Sequence, residues 1–280
     1  MQIQLGTLIR CPDITEERLK FYQETGLTLL QLAGVNEEYL APGAAAEAKS
    51  DALFESFKKY SLSVPCMFLS FPGQDWSRPL DSVGFTPMES RGERLLLACR
   101  QMLWGRRYGI RYVSCHVGNF PARESADYSR FLGALRQLAM FAELNGQEFL
   151  LESGMESAET MQQIMAELAP AHAMLNFDPV NLLIYNQSSP DEFLDKLEDR
   201  VRIVHCKDAM RPKDGEQFGR ESVLGAGETN FASLLKRLLG NGFSGCFVIE
   251  RELLPGEEQQ RDIAAAVELI NNICQEVQND

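Results

Sequence analysis

The sequence contains no Cys-x-x-Cys pair, and its seven cysteines are Cys11, Cys66, Cys99, Cys115, Cys206, Cys246 and Cys274. An odd number fits no closed disulfide framework. Most lie in apolar strand-like runs, where a free thiol packs as a small hydrophobe, so they are expected to be reduced packing residues. No apolar run approaches the roughly 20 residues that a membrane span requires. The start, "MQIQLGTLIRCPDITEE", has no basic region followed by a long apolar stretch. No signal peptide is therefore expected, and the expected location is cytoplasmic. Basic charge is short as well: 27 Lys and Arg against 40 Asp and Glu give a net charge of −13. Binding to a nucleic-acid backbone draws on clustered cations, so that class is excluded, while a small anionic ligand is not. Histidine is scarce, with three in 280 residues.

No P-loop or dinucleotide fingerprint occurs. The glycine-rich "LGAGETNF" (224–231) lacks the G-x-G-x-x-G spacing and does not follow the first strand. Its glycines are expected to shape a loop leading into a helix. No linker or low-complexity segment interrupts the chain, which predicts a single domain over residues 1–280.

What is present is one alternation repeated eight times. Short β-rich runs read "IQLGTLI", "LTLLQLA", "LSVPCMFLS", "IRYVSCHV", "QEFLLES", "HAMLNFD", "VRIVHCK" and "GCFVIERE". Between them lie segments with apolar spacing near three and four, such as "RFLGALRQLAMFAELNG" and "NFASLLKRLLGNG". Gly26, Gly109, Gly146 and Gly242 stand where helices should close in a left-handed turn. Thr15 and Ser189, each followed by acids, resemble helix starts. Strict alternation implies a parallel sheet with right-handed crossovers, and eight units predict an α/β (β/α)₈ TIM barrel. A doubly wound open sheet is the competing architecture.

Barrel active sites lie at the C-terminal ends of the strands. The last four strands end in Glu152, Asp178, His205 and Glu250, each after an apolar run: "FLLE", "MLNFD", "RIVH" and "CFVIE". Side chains alternate along a strand, so if these four face inward, Leu150, Asn176, Ile203 and Val248 do so one layer below. Three carboxylates and an imidazole on one rim repel unless a positive charge compensates. A divalent cation supplies it. An oxygen-rich set with one imidazole and no thiolate favours Mn²⁺ or Mg²⁺, with Co²⁺, Fe²⁺ and Zn²⁺ also admissible. The bland alternative is four ordinary polar strand ends touching solvent.

The ordered set "LLESG", "NFDPVNLL", "VHCKDA", "LGAGETNF" and "FVIERE" resembles the xylose isomerase-like family of sugar phosphate isomerases and epimerases. That resemblance implies a barrel with one divalent metal, often Mn²⁺, on Glu152, Asp178, His205 and Glu250. It also implies that Glu152 and Glu250 form the proton-transfer pair, and that the protein is a homodimer or homotetramer. Arg211 matches a position where epimerases of the family contact substrate; a solvated surface arginine is the alternative. Two positions depart from the pattern. Asn181 stands where such epimerases commonly carry histidine, and Gln31 where many relatives place glutamate. The DNA-repair branch of the superfamily uses many more histidines, which argues against it here.

Further candidates come from placement. Lys207 should face the same way as His205 but nearer the mouth, meeting substrate or pairing with Glu252. Asp208 should point away from the axis in a structural role. His116, closing the fourth strand, borders the same pocket, and His172 lies at the opposite end. The stretch "SFPGQDWSRPLDSVGFTP" after the third strand is long for such a loop, and Trp76 within it is a candidate wall for a sugar's carbon face. The expected activity is isomerisation or epimerisation of a sugar or sugar phosphate by proton transfer beside a carbonyl, with Glu152 and Glu250 as acid and base. A metal-dependent dehydratase of a keto-polyol uses the same first step. A non-catalytic sugar-binding barrel is the alternative of another class.

Overall fold

A computed structural model describes residues 3–279. The described residues form ten strands: β1 (Gln4–Arg10), β2 (Leu29–Ala33), β3 (Ser63–Phe68), β4 (Tyr112–Cys115), β5 (Glu148–Glu152), β6 (Ala173–Phe177), β7 (Val201–Cys206), β8 (Asp208–Met210), β9 (Arg220–Ser222) and β10 (Cys246–Ile249). Eight of them close a barrel in the order β1-β10-β7-β6-β5-β4-β3-β2, while β8 and β9 form a separate antiparallel hairpin. Every barrel pairing is parallel. The eight expected strands are therefore the eight of the barrel, and the open sheet is excluded.

The helices are α1 (Glu16–Glu24), α2 (Glu37–Leu40), α3 (Ala44–Lys59), α4 (Pro79–Ser82), α5 (Arg91–Arg107), α6 (Ala126–Leu144), α7 (Ala158–Glu167), α8 (Pro179–Ile184), α9 (Pro190–Leu197), α10 (Phe231–Gly240) and α11 (Glu257–Asn279). In α10 the buried residues Phe231, Leu234, Leu235, Leu238 and Leu239 recur at the spacing of one helical face. Thr15 and Ser189 cap α1 and α9, accepting hydrogen bonds from the amides of Arg18 and Glu192. Gly26, Gly109, Gly146 and Gly242 all have positive φ, as helix-closing glycines should. No described helix is long and apolar enough to cross a membrane.

Two apolar layers hold the fold. The larger lies between strands and helices and includes Ile9, Leu30, Phe149, Phe177 and Phe247. The smaller fills the barrel interior with Leu29, Cys66, Leu150, Ile203, Cys246 and Val248. Leu150, Ile203 and Val248 thus face inward, two residues below Glu152, His205 and Glu250. All seven cysteines are free, and all but Cys99 are buried.

Register explains how the ligand candidates reach one height. Glu152 pairs with Asn176, Asn176 with Ile203, and Ile203 with Cys246. Following hydrogen bonds from Glu152 thus leads to Cys246, four residues short of Glu250. Barrel strands tilt, so side chains at equal height along the axis are staggered in register, about one residue per strand.

Candidate active site

Asp178 shows how local structure aims a side chain. It follows β6 and caps α8, its Oδ1 accepting from the amides of Val180 (2.7 Å) and Asn181 (3.2 Å). Pro179 occupies the first helical position, where its missing N–H is no loss. One carboxylate oxygen is thereby spent on the helix. The other, Oδ2, is buried and has no hydrogen-bond partner. Ser153 latches the two strand ends, its Oγ accepting from Asp178 N (2.8 Å) and donating to Asp178 O (3.1 Å).

His205 stands at the centre of the candidate ligand set. Its Nδ1 lies 2.9 Å from Glu250 Oε2, 3.1 Å from Glu152 Oε1 and 3.5 Å from Asp178 Oδ2. None of the three approaches is aligned as a hydrogen bond, so Nδ1 is also a buried atom without a partner. One ligand atom from each of the four residues lies within 4.8 Å of the others. Buried polar atoms in native proteins are nearly always satisfied. An imidazole nitrogen and a carboxylate oxygen without partners, with two further carboxylates beside them, have the donor chemistry of a hard divalent cation site. The four predicted ligands converge.

The two glutamates differ in acidity. Burial pushes the Glu152 carboxyl up to about 7, against the opposing pull of His205. Burial opposes ionisation of Glu250 too, but Lys207 and His205 outweigh it and hold Glu250 below the usual carboxylate range. Lys207 is only 3% exposed. Its Nζ lies 2.7 Å from Glu252 Oε1, 3.3 Å from Glu250 Oε2 and 3.6 Å from Asp178 Oδ2. Pairing with Glu252 and proximity to the ligand set thus coexist. Burial works against the ammonium, yet these carboxylates keep it firmly protonated.

The other candidates differ in their settings. His116 is buried, its Nε2 lacks a partner, and burial lowers its pKa to about 4, so it is neutral at physiological pH. Trp76, 51% exposed, meets the His116 ring edge-on at 5.4 Å. Asn181 donates from Nδ2 to Ser153 O (3.2 Å). Arg211 is exposed, with its Nη1 3.5 Å from Asn186 Oδ1. His172 is exposed, 4.0 Å from Glu143, and takes no part.

The loop after β3 is fixed. Arg94 of α5 donates to the carbonyls of Ser82 (2.7 Å), Gly84 and Pro72. Arg91 binds the carbonyls of Phe85 (2.7 Å) and Thr86 (3.2 Å) while making a bidentate pair with Asp127. Trp76 is thus carried by a tied-down wall.

Asp208 does point away from the cluster. Its carboxylate accepts from the amides of Gly225 (2.9 Å), Gly227 (3.0 Å) and Thr229 (3.1 Å), and from Thr229 Oγ1 (2.7 Å). A Cβ on Gly227 would sit 2.2 Å from Asp208 Oδ1, so only glycine lets the carboxylate dock. The glycine-rich loop is shaped around an internal anion.

Two residues escaped the sequence reading, and a third entered it only as a departure from the family pattern. Tyr185, just after α8, packs its ring edge-on against His116 (6.5 Å) and Phe218 (5.5 Å), extending the aromatic wall begun by Trp76. Glu156, in the loop after β5, is buried, which raises its carboxyl to about 8. Gln31 of β2 is buried with its Oε1 2.8 Å from His205 Nε2. Tyr185 follows the apolar "NLLI", and its ring contacts come from distant segments, so no periodic signal marks it.

Comparisons with known proteins fit this geometry. An inosose dehydratase from Bacillus licheniformis is 28% identical over 151 residues, 48% of this chain. The match spans about half the length of that relative. A xylose isomerase domain protein from Planctomyces limnophilus has the same fold at a TM-score of 0.90, with 24% identity and complete coverage of both chains. A D-tagatose 3-epimerase-like protein superposes at 0.74, with 18% identity and 99% of each chain covered. The family described as the xylose isomerase-like TIM barrel matches residues 19–273, and the chain belongs to it.

Proposed function

We propose that the protein is a divalent-metal-dependent isomerase or epimerase that moves a proton beside the carbonyl of a sugar or sugar phosphate. One observation carries this reading: a buried Glu152 and a half-buried Glu250, of unequal acidity, flank the unpartnered Nδ1 of His205 at 3.1 and 2.9 Å. Glu152, Asp178, His205 and Glu250 would hold the cation, with Mn²⁺ the first choice for this oxygen-rich set and Mg²⁺ the second. When bound, the cation supplies Lewis acidity to a keto oxygen and its neighbouring hydroxyl.

The chain's own groups do the rest. Glu250, ionised beside Lys207, accepts the proton on the carbon next to the carbonyl. Glu152, in the setting that most favours a neutral acid, returns one. Return to the opposite face of the same carbon is epimerisation, and return to its neighbour is aldose–ketose isomerisation. Lys207 and neutral His116 meet substrate hydroxyls, Asn181 and Arg211 border the mouth, and Trp76 supplies the apolar wall. A second reading has one observation in its favour, the likeness to an inosose dehydratase: loss of a β-hydroxyl after the same proton removal gives dehydration of a keto-polyol.

Solvent-deuterium incorporation tests both. Protein loaded with Mn²⁺ should wash deuterium into a ketose or keto-cyclitol, and product mass separates isomers from a dehydrated species. Glu152→Gln and Glu250→Gln should each lower incorporation by about 10²- to 10⁴-fold. Undiminished exchange in both variants would remove them from proton transfer.

A further inference from the structure

Gln31, which departs from the family pattern in the sequence, turns its amide to the back of His205. Three links fix its orientation. Ser114 Oγ lies 3.4 Å from Met67 O, a carbonyl that can only accept, so the Ser114 hydroxyl donates there. The Ser114 oxygen is then left to accept from Gln31 Nε2 at 3.0 Å. That places Gln31 Oε1 against His205 Nε2 at 2.8 Å. An acceptor at that distance requires the proton to be on Nε2.

Asn176 meets the same nitrogen and fits this assignment with its amide turned over. Its amide nitrogen lies 3.0 Å from His205 Nε2, and its Oδ1 is buried with no partner. Amide oxygen and nitrogen are interchangeable in placement, and the hydrogen-bond network decides between them. Turning this amide over sets Oδ1 against the Nε2 proton and leaves Nδ2 as its unpartnered end. Both amides then accept from one N–H.

We propose that Gln31, held by Ser114, is a positioning residue that fixes His205 as the Nε2–H tautomer and so presents the Nδ1 lone pair to the cation. The inference rests on the cation centre proposed above and adds a residue from the far side of the barrel to it. An outer partner that locks the tautomer and ring angle of a ligating histidine typically contributes ten- to a hundredfold in metal affinity.

The test uses the full chain and Mn²⁺ alone, with free Mn²⁺ counted by electron paramagnetic resonance. Gln31→Met keeps length but removes the acceptor and should weaken binding about ten- to a hundredfold. Gln31→Glu keeps an acceptor and should restore affinity to within a few-fold of wild type. Ser114→Ala, which frees the Gln31 amide to rotate, should fall between them. A second readout needs no variant: with three histidines in the chain, ¹⁵N imidazole spectra of wild-type protein with Mg²⁺ should show His205 protonated at Nε2 only. A loaded His205 protonated at Nδ1, or Gln31→Met binding within twofold of wild type, would overturn the inference. A wild-type protein that takes up no Mn²⁺ overturns the cation centre itself, whereas the first two outcomes leave that centre standing.

Discussion

The floor and the mouth of the barrel are built from the same strands, often two residues apart, on opposite terms. The floor packs Leu29, Cys66, Leu150, Ile203, Cys246 and Val248 with no charge among them. Beside it, at the strand starts, Glu148 is satisfied by both Arg111 (2.7 Å) and Arg202 (3.1 Å). The mouth gathers three carboxylates, an imidazole and an ammonium, and leaves Asp178 Oδ2, His205 Nδ1 and His116 Nε2 without partners. Unsatisfied buried polar atoms are costly. The floor is therefore where this chain gains stability, and the mouth is where it gives some up.

The contrast breaks most sharply if a mouth substitution behaves like a floor substitution. Glu152→Gln should lower deuterium exchange about 10²- to 10⁴-fold while leaving the cation-free protein at least as heat-stable as wild type, because it removes a buried charge from an acidic cluster. Calorimetry beside the exchange assay checks this, and a large drop in Tm would place Glu152 among the stabilising residues. At the floor, Leu150→Ala should cost about 2–5 kcal/mol in denaturant unfolding, with Mn²⁺ affinity unchanged within twofold.

A smaller effect is expected from His116. Its folded pKa of about 4 lies below the unfolded value of 6.5. Its contribution to stability is thus complete above pH 6.5 and declines on acidification towards pH 4, by up to about 3 kcal/mol. Glu152 opposes this, since a raised carboxyl pKa makes folding less favourable as pH climbs from 4.5 towards about 7. In a Glu152→Gln background, then, unfolding followed from pH 7 to 4 should steepen, and adding His116→Asn should flatten it. The same Glu152 proton competes with the cation, so Mn²⁺ affinity in wild type should fall as pH drops through about 7. An affinity flat from pH 8 to 6 would contradict it. Smallest of all, Trp76→Ala should leave Tm within about 1 °C, in keeping with an exposed surface change, and raise KM a few-fold by removing wall area.

How much of this contrast the sequence discloses depends on whether a feature is periodic. The eight barrel strands are legible because buried parallel strands read as near-continuous apolar runs. The four ligand candidates stand out because each interrupts such a run at its end. "DPVN" is legible too, since Asp followed by Pro is a helix-start signal, and α8 begins there. The β8–β9 hairpin is not: "DAM" and "RES" are three residues each, too short for alternation to register. Gln31 could be placed on the second strand, where it is the middle residue of β2, but its turn towards His205 depends on Ser114 and Met67, which belong to other strands. The fixed state of the β3 loop was equally hidden, because the residues that hold it, Arg91 and Arg94, lie on the next helix and bind main-chain carbonyls rather than any recognisable partner.

Those two arginines have a kinetic consequence. With one wall of the entrance already assembled before any ligand arrives, little chain entropy is left to surrender on that side during docking. Turnover should then be insensitive to solvent viscosity apart from simple diffusion, with no slow gating phase in rapid-mixing records.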